Sequence, residues 1–194
     1  MSSVDFLEWT GFITGITGVW LTSKQNPICF PIGLANVTIS LFLFYGQHLY
    51  ADALQQVVYI VLLIAGWYNW TFRKKDDRSL AISRLSRTEA GMVVAAIGSI
   101  AISLGFVLDE YTDASFPWLD SFASSMAFTA QYLVARKKIE NWLLWIPVNL
   151  IYIGIYIQKD MVLYTLLFTV YLALAVNGFL SWRVSIEKSS TSLA

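Results

Sequence analysis

The sequence predicts an all-α integral membrane protein with seven transmembrane helices, and three observations predict it. Hydrophobic residues make up 57% of the 194 and charged residues 13%, about half the charge with which a soluble domain faces water. Apolar stretches of membrane-crossing length recur along the chain. The basic residues fall in alternate connections between those stretches.

A helix needs about 20 mostly apolar residues to cross a bilayer. Seven stretches qualify: 5–23, 28–46, 50–72, 89–108, 117–135, 140–158 and 161–183. The first, second and fifth carry more small and polar residues than a lipid-exposed span, which predicts helices packed on other helices. The fourth holds an uncharged run from Gly91 to Phe106, rich in Ala, Ile, Val and Gly.

Twelve of the thirteen Lys and Arg fall on one side of these spans. They are Lys24, Arg73, Lys74, Lys75, Arg78, Arg84, Arg87, Arg136, Lys137, Lys138, Arg183 and Lys188. The other side receives Lys159, with Asp109, Glu110 and Asp113. The positive-inside rule then puts the N-terminus outside and the C-terminus inside, which demands an odd number of spans. The basic loops are accounted for as a topology signal, so no nucleic-acid partner is expected. The first residues lack the basic region of a signal peptide, and the spans themselves are expected to direct insertion.

Compared with itself at an offset of 112 residues, the chain repeats. Glu8 meets Asp120, Trp20 meets Tyr132, Leu21 meets Leu133 and Lys24 meets Arg136. Tyr59 meets Tyr171, Gly66 meets Gly178 and Trp70 meets Trp182, with Asn36 and Asn149 one slip away. Each copy holds three spans, and one linker span between them gives the second copy the same orientation. The expected architecture is a 3+1+3 pair of parallel repeats, with substrate at their interface. The whole chain, 1–194, is expected to form a single membrane domain. Within it, 5–72 is the first repeat and 73–115 a basic cytoplasmic loop plus linker helix. The second repeat is 116–183, and 184–194 is a cytoplasmic tail.

Polar side chains at membrane depth face the bundle interior or a cavity. In the sixth span Trp142, Trp145, Asn149, Tyr152 and Tyr156 recur at spacings of three and four, and so share one helix face. Indoles and phenols stack on flat rings and attract cations, and the amide both donates and accepts hydrogen bonds. A flat, polar, cationic ligand suits that stripe. Trp142 also lies where tryptophans anchor helices at the interface. Further candidates are Asn36 in the second span, near Thr38 and Ser40, and Gln55 and Tyr59 in the third, beside Gln56. Gln131 in the fifth span, and Tyr164, Tyr171 and Asn177 in the seventh, complete the polar set. Asp120 and Glu8 admit two readings: carboxylates drawing a cation into the mouth, or first-turn acids matching a helix dipole. Pro31 and Pro147 are expected to interrupt their helices.

No catalytic constellation emerges. There is no phosphate-binding glycine loop, no credible Ser–His–acid set and no metal-ligand cluster, with one histidine, His48, and one cysteine, Cys29. The expectation is a transporter without cofactors and not an enzyme, with a membrane receptor that binds without transporting as the alternative of another class.

The motif Trp142-x-x-Trp145-x-x-x-Asn149, preceded by Asn141, resembles the PnuC family of vitamin transporters. So do Leu49-Tyr50-Ala51-Asp52, Gly66-Trp67-Tyr68-Asn69-Trp70, Lys24-Gln25-Asn26 and Phe116-Pro117-Trp118-Leu119-Asp120-Ser121, in that family's order and spacing. The likeness runs from Glu8 to Trp182. Phe30-Pro31 departs from the tryptophan-proline pair of many relatives. The resemblance implies a fold like the SWEET sugar transporters and a homotrimer in the bacterial inner membrane. It implies facilitated diffusion of a phosphate-free vitamin, chiefly nicotinamide riboside, trapped inside by a cytoplasmic vitamin kinase. Thiamine-type relatives make thiamine the alternative substrate. The family motif carries over onto Trp142, Trp145 and Asn149 as substrate contacts.

Overall fold

The computed structural model describes residues 3–46, 50–73, 80–112 and 116–191, with side chains at 9–46, 52–73, 80–112 and 116–188. The side chains of Glu8, Tyr50 and Ala51, together with His48, Leu49, Lys74, Lys75, Arg78, Asp113 and residues 192–194, lie outside that description.

The helices are α1 (Ser3–Ser23), α2 (Cys29–Gly46), α3 (Tyr50–Thr71), α4 (Arg87–Tyr111), α5 (Pro117–Ala135), α6 (Asn141–Gln158) and α7 (Val162–Thr191). All seven predicted stretches are helical. Residues 184–191 of the tail are helical too, because α7 runs on to Thr191. Three helices are long and apolar enough to cross a bilayer by length and composition alone: Cys29–Gly46, Arg87–Tyr111 and Val162–Lys188.

Packing arranges six helices in a closed ring. α1 contacts α2 and α7, α2 contacts α3, α3 contacts α5, α5 contacts α6, and α6 contacts α7. α4 stands outside the ring and packs on α5. That extra neighbour explains why α5 is so small-residued. Ser121, Ala123, Ser124, Ser125, Ala127 and Ala130 are all buried, and small side chains let three helix backbones approach together. α2 packs on other helices as expected, contacting α1 and α3, but it is more apolar than its small and polar residues suggest. It is one of the three strongly apolar helices, and only Cys29 and Phe30 of it are buried.

Helix ends follow local chemistry. Ser86 and Glu89 form a reciprocal capping box at the start of α4. α1 ends with Asn26 N–H donating to Leu21 O (3.0 Å) and Gln25 N–H to Thr22 O (2.9 Å). α5 ends with Lys138 N–H donating to Leu133 O (2.9 Å) and Lys137 N–H to Val134 O (2.9 Å). Both are Schellman closures. Each places a non-glycine residue in the left-handed region, Gln25 at φ 57° and Lys137 at φ 50°, at about 1–2 kcal/mol apiece.

The two prolines differ from expectation in one respect. Pro147 lies inside α6 and removes a hydrogen bond there. Pro31 is the third residue of α2, where the amide lacks an intrahelical acceptor in any case, so it interrupts nothing.

At the basic end an aromatic layer closes the ring. Phe30, Trp70, Trp142 and Trp182 are all buried. Trp70 packs edge-on against Phe30 (5.0 Å between ring centroids), and Trp142 edge-on against Trp182 (5.5 Å). Trp70 Nε1–H donates to Val134 O (3.0 Å) and Trp182 Nε1–H to Ser23 O (3.2 Å). α3 thus fastens to the end of α5, and α7 to the end of α1. Beneath the layer the 80–86 segment is clamped to the α5–α6 turn by Ser83 N–H donating to Lys137 O and Ile139 N–H to Ser83 O, each 3.0 Å. Lys137 is buried in that turn with its ammonium 4.5 Å above the Trp70 ring. Burial pulls the Lys137 pKa below its ordinary value, since the charged form loses water.

Glycine permits the layer. A Cβ on Gly66 would overlap the Phe30 ring, and one on Gly178 would come within 2.6 Å of Trp142 ring carbons. Gly178→Ala is therefore expected to destabilise the fold by about 1–3 kcal/mol, the usual cost of overpacking. Thermal unfolding of the purified variant checks it, and an unchanged midpoint would contradict the packing.

Candidate functional site

The ring encloses a cavity of about 530 Å³, running from half-buried Thr22 and buried Cys29, Phe30 and Trp142 toward Asp52, Phe116, Asp120 and exposed Lys159 at the acidic end. It opens at the acidic end and is floored by the aromatic layer at the basic end. Each ring helix contributes to the wall.

Twelve of the thirteen candidate residues line this one space: Asn36, Gln55, Tyr59, Asp120, Gln131, Trp142, Trp145, Asn149, Tyr152, Tyr156, Tyr164 and Tyr171. Asn177 lies elsewhere. It is exposed, and its Oδ1 is 3.5 Å from Ser181 Oγ. α7 presents Tyr164, Phe168 and Tyr171 to the cavity, and Asn177 falls about 240° round the helix from Tyr171 at roughly 100° per residue. Thr38 is also exposed, whereas Ser40 and Gln56 line the wall.

Asn36 and Asn149 are used differently. Asn36 is committed to α1, with its Nδ2 donating to Gly11 O (3.0 Å) and Thr14 Oγ1 (2.8 Å). Asn149 is 2% exposed and lines the cavity, and among the described residues no side-chain hydrogen bond engages its amide. The amide is therefore open to the cavity and free to hydrogen-bond something that enters it.

Trp145 stands one turn from Asn149 on the same wall. Among the described residues it has no ring partner, which leaves its indole free to stack on a flat group. Trp142 serves the floor as well as the wall. Its Nε1 is buried without a hydrogen-bond partner among the described residues.

Toward the mouth the wall is a tyrosine cluster. Tyr152 stacks on Tyr156 (6.0 Å) and Tyr156 on Tyr164 (5.2 Å). Phe168 bridges Tyr152 (5.0 Å) and Tyr171 (5.6 Å). The Tyr171 hydroxyl fills the space above Gly15, and Tyr59 leans on Phe128 (5.2 Å). The Tyr152 hydroxyl lies 3.3 Å from Ser124 Oγ and faces the Asp120 carboxylate.

The residue choice from sequence missed Asp52, Phe168 and Phe30, all on the wall. Phe168 was findable, because Tyr164, Phe168 and Tyr171 follow helical spacing. Asp52 sits in the first turn of α3, where an acid has a ready explanation in the helix dipole. Asp52 and Asp120 give the mouth two carboxylates from opposite halves, set against one Lys159.

The comparisons with known proteins agree in kind. A family model described as nicotinamide mononucleotide transporter matches residues 5–184. The nicotinamide riboside transporter PnuC of Escherichia coli is 28% identical, over 98% of this chain and 91% of its own. The riboflavin/roseoflavin transporter RibM of Streptomyces davaonensis is 25% identical, over 94% of this chain and 87% of its own. The crystal structure of the vitamin B3 transporter PnuC has the same fold, with a TM-score of 0.76 at 23% identity, covering 94% of this chain and 83% of that one.

Proposed function

The chain belongs to the nicotinamide mononucleotide transporter family, whose characterised relatives are membrane transporters of vitamins and not enzymes, and from that premise we propose that it carries nicotinamide riboside by facilitated diffusion. The observation that carries the substrate reading is the unpaired, buried Asn149 amide beside Trp145 in a cavity whose mouth holds Asp52 and Asp120. A nicotinamide ring is flat and cationic, with an amide of its own. It can stack on Trp145, pair with Asn149, and pass two carboxylates on entry. Riboflavin is uncharged and gains nothing from that mouth.

The twelve cavity residues are the proposed contacts, with Trp142, Trp145 and Asn149 at the centre. Asn177 is too far round α7 to join them. The seven helices all span the bilayer, with the N-terminus outside, the C-terminus in the cytoplasm and the cavity open to the outside. The bacterial inner membrane is the proposed location. The two three-helix groups act as parallel repeats. Three paired features support this: Schellman closures 112 residues apart, Trp70 and Trp182 in crossed hydrogen bonds, and Phe30 and Trp142 each over a glycine. Transport follows when the aromatic floor parts and the mouth closes, an alternating-access cycle. A cytoplasmic kinase that phosphorylates the vitamin holds it inside, and the working unit is a homotrimer.

Proteoliposomes test the proposal. They should equilibrate labelled nicotinamide riboside with no sodium or proton gradient and stop at equal concentrations. Accumulation that depends on an ion gradient would overturn uniport. Saturable binding without flux would favour a receptor, and stronger competition by thiamine than by unlabelled nicotinamide riboside would reassign the substrate.

A further inference from the structure

A second groove lies outside the ring and plays no part in the cavity. Its floor is α5, at Phe128, Thr129, Tyr132 and Leu133, and its walls are α3 and α4, which do not touch one another. It encloses about 570 Å³. On α4 its lining recurs at helical spacing from Glu89 through Met92, Ala96 and Ile100 to Leu104. The fifteen steps from Glu89 to Leu104 rise roughly 22 Å, more than the depth of one leaflet, about 15 Å of hydrocarbon. The wall is apolar along that length and changes character at the basic end alone.

There Lys138 Nζ is 3.1 Å from a Glu89 carboxylate oxygen and donates to Arg84 O (3.1 Å), so its charge is spent. Arg136 differs. Its nearest acid atom is 4.0 Å away, Nη1 donates to the Tyr132 hydroxyl (2.9 Å), and 45% of the side chain is exposed at the groove's end. Arg84, whose carbonyl accepts from Lys138, and Arg87, the first residue of α4, are exposed as well. A greasy channel of leaflet depth ending in an excess of positive charge matches one chemistry: an acyl chain tied to an anionic head.

We propose that the groove between α3 and α4 binds one anionic phospholipid of the leaflet on the basic side, its acyl chain along α5 and its phosphate on Arg136. A basic pocket between membrane helices is a lipid head-group site on general grounds. Here the bound lipid also fills the gap that leaves α4 attached to the ring through α5 alone, and so ties α4 to α3.

Native mass spectrometry of the detergent-purified full chain, supplied with phosphatidylglycerol or phosphatidylcholine, tests this. The wild type should retain one phosphatidylglycerol per chain in preference to phosphatidylcholine. Arg136→Gln, which can still hydrogen-bond Tyr132, should reduce that preference about five-fold, as expected of one basic contact. Ala96→Phe, at an exposed position on the groove wall, should block retention of either lipid while the protein stays folded by circular dichroism. Equal retention of the two lipids would overturn the proposal, as would an unchanged preference in Arg136→Gln. Disulfide-linked oligomers from Ala96→Cys that retain no lipid would also overturn it, assigning the groove to contacts between copies of the chain.

Discussion

Asn149→Ala is expected to weaken vitamin binding about ten- to hundred-fold, equivalent to losing roughly 1–3 kcal/mol from a buried hydrogen-bonding group, while leaving the thermal midpoint nearly unchanged. The reason lies in the free protein. The amide is 2% exposed and spends no hydrogen bond on any described neighbour, so its removal breaks nothing that holds the fold. Asn36→Ala should behave in the opposite way. Its amide joins α2 to α1 through Gly11 O and Thr14 Oγ1, so stability should fall by about 1–3 kcal/mol with a smaller effect on binding. Calorimetric titration and thermal unfolding of both variants separate the roles. Equal losses of stability in the two would contradict the claim that Asn36 serves the fold and Asn149 the ligand.

Trp182→Ala carries the largest expected cost to the fold, about 3–5 kcal/mol. Trp182 is fully buried, packs on Trp70 and Trp142, and hydrogen-bonds the end of α1. Its loss opens the floor and removes the tie between α7 and α1 at once. Trp182→Phe should keep much of the packing while leaving Ser23 O without its donor, costing about 1–3 kcal/mol. Thermal midpoints of the two variants, read with binding affinity, distinguish floor from ligand contact. A Trp182→Ala protein with wild-type stability would show that the layer does not close the ring.

The helices were legible because span length and alternating loop charge are written in runs of residues. The expected repeat rests on Trp, Gly and charge positions, where chance matching is weakest, and two of those positions, Trp70 and Trp182, make alike hydrogen bonds. The stripe on α6 was legible by its spacing alone. What escaped had local reasons. Asn177 shares its helix with Tyr164 and Tyr171, but the sequence does not say which side of α7 meets the cavity. Asp52 was concealed by an adequate structural explanation. The difference between Asn36 and Asn149 depends on what α1 and α5 bring opposite them, Thr14 in one case and open space in the other, and only packing decides that. The small and polar residues of α2, read as a sign of packing on other helices, include Gly33, Asn36 and Ser40, which line the cavity inside the ring.

A structure determined with saturating nicotinamide riboside tests the central claim most directly. The ligand ring should lie inside the six-helix ring, stacked on Trp145 with its carboxamide hydrogen-bonded to Asn149. Ring density bound elsewhere, with the Asn149 amide still unpaired, would contradict the account.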